Sequence, residues 1–278
     1  MTILNDETVA ISTFAELKSV IETNNAVNLI YLNANIEMTS GITIPQTKTN
    51  LIIDGTYNDI RHTFKDRTTL NASDTITAFN ELIQKETVQN MDITGNNYYG
   101  IIYVPESASY KDIITEYNNI TYNGTQISFH STGLTIFINS NISINNISLT
   151  NGGEVAECNK IEIGGNTTII HKSKENYAFW FRNSNPSLTI LENANHTINQ
   201  TTYRRSYAVW YSYGSLTINE NASLTIINEY PSITTSNYNI YFLTTASEFN
   251  LNNPKKIILS NTQYTQIVQQ NLILTFQE

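Results

Sequence analysis

The 278-residue chain carries 15 Lys and Arg against 24 Asp and Glu, a formal net charge of −9 with only 14% charged residues. That balance excludes a nucleic-acid partner, which needs a basic footprint, and the single cysteine, Cys158, excludes an internal disulfide framework. Asn is about one residue in seven, and with Thr and Ser it stands where an ordinary surface is about 25–35% charged. Asn bonds nearby backbone and tolerates the left-handed region, so this composition predicts many tight corners and little helix.

In chain order, Met1-Thr2-Ile3-Leu4-Asn5-Asp6-Glu7 lacks the basic start and apolar stretch of a signal peptide. No apolar run approaches the length of a membrane span. The chain is therefore expected to be intracellular or a domain of a longer secreted protein. Thr13 to Thr23 predicts a helix: Thr13 and Glu16 form a capping-box pair, and Phe14, Leu17 and Ile21 share one face. Strands follow at Asn28 to Leu32, Ile42 to Ile44, and Leu51-Ile52-Ile53, which ends at Asp54-Gly55. Ser73 to Glu86 carries mixed signals, since Phe79, Leu82 and Ile83 suit a helix face while Thr75, Thr77 and Val88 suit strands. Strand signals return from Gln89 to Tyr103, and Tyr110 to Tyr122 is expected to include an excursion from the regular coil.

From Gln126 to Ser260 the pattern repeats. Leu134-Thr135-Ile136 returns as Ile161-Glu162-Ile163, Leu188-Thr189-Ile190, Leu216-Thr217-Ile218 and, more loosely, Phe249-Asn250-Leu251. A period of roughly 27 to 33 residues signals a solenoid, and a β-propeller would need longer blades. A second strand family, Tyr177-Ala178-Phe179-Trp180-Phe181, Tyr207-Ala208-Val209-Trp210-Tyr211 and Tyr238-Asn239-Ile240-Tyr241-Phe242, keeps step with the first. The expected fold is all-β: a right-handed parallel β-helix (solenoid) with an N-terminal capping helix, the hand following the crossover rule. Residues 1–27 form the capped N-terminal segment and 28–278 the β-helix, one structural domain overall, closed by an irregular segment after Lys255.

Strand parity divides the aromatic strands. Phe179, Val209 and Ile240 are uniformly apolar, so that column and Tyr177, Tyr207 and Tyr238 point inward. Ala178, Ala208 and Asn239, then Trp180, Trp210 and Tyr241, point outward, with Arg182 at the border. Such a row, one rung of about 4.7–4.9 Å apart, suits sugar rings or a protein strand laid across it. The competing reading is a second small core, covered by the loops at Asn183-Ser184-Asn185-Pro186 and Thr201 to Arg205.

Charged residues are densest over Asp54-Gly55-Thr56-Tyr57-Asn58-Asp59-Ile60-Arg61-His62, continuing to Asp66-Arg67. A β-eliminating lyase needs carboxylates for Ca²⁺ and a basic proton acceptor, and both types occur here. The structural reading is a corner at Asp-Gly in which Arg61 pairs with Asp59. A polygalacturonase needs paired carboxylates, but Asp-Asp and Gly-His-Gly are both absent. His62, His130, His171 and His196 lack metal-ligand spacing, Cys158 is expected to be buried and inert, and Gly152-Gly153 and Gly164-Gly165 read as turns. No catalytic residue, metal ligand or cofactor is assigned.

With these residues in place, the chain resembles the pectate-lyase-like adhesive domain of Gram-positive surface proteins. The resemblance is carried by Leu51-Ile52-Ile53-Asp54-Gly55, Met91-Asp92-Ile93-Thr94-Gly95-Asn96-Asn97-Tyr98-Tyr99-Gly100 and Ile120-Thr121-Tyr122-Asn123-Gly124-Thr125-Gln126. It continues in Glu154-Val155-Ala156-Glu157-Cys158-Asn159-Lys160, Phe179-Trp180-Phe181-Arg182 and the Leu-Thr-Ile copies. It implies a β-helix that has lost lyase chemistry and serves in attachment, displayed extracellularly from the cell wall through regions outside this chain. The expected partner is a host extracellular-matrix protein or glycan, without membrane insertion, and the expected state is a monomer. Trp180, Arg182, Trp210 and Tyr241 are the expected ligand contacts. A polysaccharide lyase acting on a uronate polymer and a structural stalk are the alternatives.

Overall fold

The computed structural model describes residues 1–68, 71–78, 82–146, 153–173, 177–181, 185–202, 207–211, 214–229, 238–242, 247–261 and 265–269. Among these residues the regular structure is strand, apart from one α-helix and two single-turn 3-10 helices. The chain visits three columns of strands in a fixed order. One pass runs Ser187–Ile190, Asn195–Thr202 and Tyr207–Tyr211, and the next runs Ser215–Ile218, Ser223–Glu229 and Tyr238–Phe242. Each strand pairs in parallel with its counterpart one pass away. The fold is predominantly β with stacked parallel sheets, a β-helix-like arrangement.

The first and third columns belong to one 17-stranded sheet and the second is a 10-stranded sheet. The first and third columns join because the long strands Ser128–Ile138 and Ala156–Gly164 run through the corner between them, where the register shifts between His130 and Leu134. The column holding Tyr177–Phe181 is called the ladder sheet below, and that holding Ser187–Ile190 the Leu-Thr-Ile sheet. Inside, like side chains stack: Ile163, Ile190, Ile218 and Leu251 are successive register partners, the first three fully buried. Burial of each such side chain is worth about 1.5–3 kcal/mol.

The register corrects one expectation. Thr135, not Leu134, pairs with Ile161, and Phe137 with Ile163. Leu134-Thr135-Ile136 is thus one residue out of step with the later Leu-Thr-Ile copies, which pair Ile161 with Leu188 and Leu188 with Leu216. A one-residue slip reverses the faces. Thr135 points into the core, where its hydroxyl lies 2.9 Å from that of Thr115, and Phe137 fills the position that isoleucine takes later.

The abundant Asn is explained at the corner after the Leu-Thr-Ile sheet. Asn90, Asn119, Asn139, Asn193, Asn221 and Asn253 all take left-handed φ between 49° and 58°, and Gly165 joins them at 57°. Asn and Gly tolerate this conformation best among the common residues. Side chains link neighbouring corners: Asn119 Nδ2 donates to Asn90 Oδ1 at 2.8 Å, and Asn139 Oδ1 accepts from the Asn166 amide at 3.0 Å. A Cβ on Gly165 would lie 1.9 Å from Asn139 Oδ1, so glycine is required where that side chain folds over. Replacing the exposed Asn221 by alanine is expected to cost about 1 kcal/mol, and replacement by glycine a few tenths at most. Urea melts of the two variants check this, and equal costs would remove the φ argument.

The helix spans Phe14–Thr23, with the Thr13 side chain accepting from Glu16 N and the Glu16 carboxylate accepting from Ser12 N. Leu17, Val20 and Ile21 are buried against the strands Ile36–Met38 and Ile42–Ile44. It stands between Thr8–Ile11 and Leu29–Leu32, which pair directly, and so replaces the two other strands of the first pass. Two further expectations are corrected. Lys256–Asn261 is a regular strand parallel to Ser223–Glu229, with Thr265–Gln269 returning antiparallel on it, because Ile257 continues the buried column of Leu224. The stretch from Tyr110 to Tyr122 departs from strand only at its start, where Ala108–Tyr110 forms a single 3-10 turn, and is regular from Ile114, with strands Ile114–Asn118 and Thr121–Gly124 in register with their neighbours. Its alternating Thr115 and Tyr117 face inward despite their polarity. Of the ambiguous segment, Ile76–Ala78 and Lys85–Gln89 are strands, and Phe79 lies outside the described residues.

Candidate aromatic binding flank

On the ladder sheet, pairing aligns Tyr103 with Phe129, Phe129 with Glu157, Glu157 with Trp180, Trp180 with Trp210 and Trp210 with Tyr241. Five aromatic residues and one carboxylate therefore occupy one column over six successive rungs. The alternate column, Val104, His130, Cys158 and Phe181, is buried. Phe179 and Val209 are fully buried and Ile240 packs on the core, as their parity requires. The column of Trp180 thus faces away from the core, and Trp180 itself is half-buried.

The lower end of the column has a dense aromatic cluster. Tyr98 and Tyr99 precede the strand Ile102–Val104 and fold over it, with their ring centroids 4.2 Å apart. Tyr99 meets Tyr103 at 5.1 Å and Phe129 at 5.7 Å, both edge to face, and Tyr103 lies 5.1 Å from Phe129. Such geometry adds about 0.5–1.5 kcal/mol per pair beyond area burial. The Tyr98 hydroxyl is pushed up to about 12, chiefly by its hydrogen bond with Tyr99, then by burial and by the negative charges of Tyr99 and Glu157. Glu157 is itself largely covered, at 6% exposure.

Of the four expected contacts, Trp180, Trp210 and Tyr241 fall in one register column. Backbone position is described for all three, but the side chains of Trp210 and Tyr241 lie outside the described residues, as does Arg182 entirely. Tyr177, Tyr207 and Tyr238 likewise share a register column, with side chains outside the description. Two members of the outward set are covered: Ala178 is fully buried, and Asn239 is 9% exposed with its amide within 3.1–3.2 Å of the Ser260 backbone. The expected covering loops, Asn183-Ser184 and Tyr203 to Arg205, lie outside the described residues. Sequence reasoning missed Tyr98, Tyr99, Tyr103, Phe129 and Glu157. The signal was the Tyr-Tyr pair one loop before an Ile-X-Val strand, obscured because the loops between rungs vary in length.

The acidic cluster near Asp54 is occupied by structure. Asp54 accepts from Thr56 N at 2.8 Å, Gln89 Nε2 at 2.7 Å and Asn90 Nδ2 at 3.0 Å. Asp66 accepts from Thr68 N, Asn96 N and Asn97 N at 2.8–3.0 Å. Arg61 pairs with Asp92 at 3.0 Å, not with Asp59, because Asn58 and Asp59 turn a tight hairpin at positive φ. Arg67 pairs with Glu37 at 3.2 Å. Among the described residues no three of His, Cys, Asp and Glu gather so as to hold a metal ion. His130, His171 and His196 are buried, each with one ring nitrogen on a backbone carbonyl, and burial lowers each to about 4. Cys158 is fully buried and burial pushes its thiol up, which suits an inert side chain.

Comparison with known proteins bears on this flank. Residues 8–129 match the family model described as "Putative pectate lyase-like adhesive domain", so the resemblance seen in the sequence is shown over that stretch. It includes the strings around Asp54, Tyr98-Tyr99 and Asn123, along with Tyr103 and Phe129; those around Glu157 and Trp180 lie beyond it. The solved structure of L. reuteri 53608 SRRP is similar in fold, with a TM-score of 0.54 at 12% identity over 91% of this chain and 98% of that one. No curated protein matches the chain. Among the described residues, no helix is long and apolar enough to cross a membrane.

Proposed function

We propose that this chain is a non-catalytic adhesive domain that holds a host matrix protein or glycan along the aromatic column of the ladder sheet. The observation that carries the reading is that column, five aromatic residues in register across six rungs, in a chain whose first part matches an adhesive-domain family. Trp180, Trp210 and Tyr241, with Arg182 at the border, are the contacts. The strands set the backbone of Trp180, Trp210 and Tyr241 at a fixed repeat, so little backbone ordering entropy is lost on binding. The coil is a right-handed solenoid, one structural domain with residues 1–27 at its capped end and 28–278 forming the coil. It is displayed as a monomer at the cell surface through regions outside this chain. The occupied carboxylates at Asp54 and Asp66 favour attachment over lyase chemistry.

The test is a binding screen of the purified chain against matrix proteins and glycans, beside a Trp180→Ala, Trp210→Ala double variant whose circular dichroism and melting match the parent. Hot-spot aromatics typically contribute about 2 kcal/mol or more each, so affinity should fall at least ~30-fold for one lost contact and toward ~1,000-fold for both. A folded double variant that binds as the parent does would overturn the site. Calcium-dependent release of unsaturated uronate products by the parent would overturn the non-catalytic reading.

A further inference from the structure

We propose that the strand Thr2–Asn5 is a protective end cap, and that the edge of Thr8–Ile11 beneath it is a docking surface for the same edge of a second copy of this chain. The inference concerns the end of the coil and is independent of which flank holds a ligand. Among the described residues, every pairing in the 17-stranded sheet is parallel except that of Thr2–Asn5 on Thr8–Ile11. The 10-stranded sheet also ends on a reversed strand, with Thr265–Gln269 antiparallel on Lys256–Asn261. A parallel coil that simply stops leaves a row of unpaired N–H and C=O groups, which is a template for another chain. A reversed strand closes that row.

The cap and the strand beneath it differ in what they bury. All four residues of Thr2–Asn5 are exposed, Ile3 at 71%, so the cap adds backbone pairing and little apolar burial. Its register breaks between Ile3 and Asn5, an irregularity of the kind that turns an edge away from further pairing. Beneath it, Val9, Ala10 and Ile11 are buried and apolar. Uncovered, Thr8–Ile11 presents a regular apolar edge, and that edge already takes an antiparallel strand of this chain. Two copies related by a two-fold axis pair Thr8–Ile11 with itself in that same sense. The helix that follows, Phe14–Thr23, exposes Ala15, Ser19 and Thr23, small side chains one turn apart that leave room for a second copy.

The experiment is sedimentation equilibrium of the whole chain over a range of micromolar concentrations. Thr2→Pro, Ile3→Pro breaks the cap, because neighbouring residues of a strand point their N–H groups to opposite edges and one proline must interrupt the ladder. The parent is expected to stay monomeric. The proline variant, with the circular dichroism of the parent, is expected to double in mass as concentration rises. Adding Ala15→Lys, which sets two like charges against each other, is expected to weaken that association at least about tenfold. Ile3→Gly, Leu4→Gly, which loosens the cap through lost strand propensity, serves should the prolines disturb the strand beneath. A folded, uncapped chain that stays monomeric would overturn the proposal. Assembly beyond the dimer, or a dimer indifferent to Ala15→Lys, would overturn it by placing the contact elsewhere. A dimeric parent would show that Thr2–Asn5 caps nothing.

Discussion

Acidification from pH 7 to pH 4 is expected to cost the folded chain on the order of 9 kcal/mol through three histidines alone. His130, His171 and His196 are fully buried, and burial lowers each from 6.5 to about 4. In the folded chain they stay neutral down to about pH 4, while in the unfolded chain they take up protons below pH 6.5. Between those values the unfolded state binds more protons, so stability falls as pH falls. Each contributes about 3 kcal/mol by pH 4, and three such losses are comparable with a whole domain's stability of about 5–15 kcal/mol. Melting followed from pH 7 to pH 4 should show a steep acid limb. In His196→Leu the limb should be shallower by one proton, because leucine already fills the next rung of that column at Leu224. A stability that stays flat from pH 7 to pH 4.5 would refute this account.

The opposite sign is expected at Glu86, which faces the interior between Leu51 and Thr115. It is 1% exposed, and neither carboxylate oxygen has a hydrogen-bond partner among the described residues. Burial pushes it up from 4.5 to about 8. The folded chain therefore holds it protonated, whereas the unfolded chain ionises it above pH 4.5. Its favourable share is fully present below pH 4.5 and is lost as pH rises through 8, a cost of about 3 kcal/mol at pH 7. Glu86→Leu should raise stability at pH 7 by about that amount, since replacing an unpaired buried carboxyl by an apolar group relieves its desolvation. The gain should shrink toward pH 4.5. Glu86→Gln should remove the pH dependence while leaving an unpaired polar group in place. A destabilised leucine variant at pH 7 would mean that the carboxyl has a compensating role in the core.

Near neutral pH the two effects pull apart, three histidines favouring higher pH and one carboxyl favouring lower. Both arise because a narrow stacked interior admits polar side chains wherever strand parity puts them. The same property explains Thr135 and Thr115, whose hydroxyls meet in the core.

The sequence by itself determined the repeating strands, the Asn corners, the capped helix and the upper part of the aromatic column. Each of these rests on local rules: alternation in a strand, left-handed φ at Asn, and capping at Thr13. It erred where a local motif competed with register, since Leu134-Thr135-Ile136 matches the later copies in letters but not in the face it presents. Only the tertiary structure decided that register, because pairing with the strands above and below fixes the face of every residue at once. It alone brought Tyr98, Tyr99, Tyr103, Phe129 and Glu157 together beneath Trp180. Tyr98, Tyr99 and Tyr103 are close in the chain, but Phe129 and Glu157 come from later passes, and loops of unequal length hide their common spacing until the rungs are stacked.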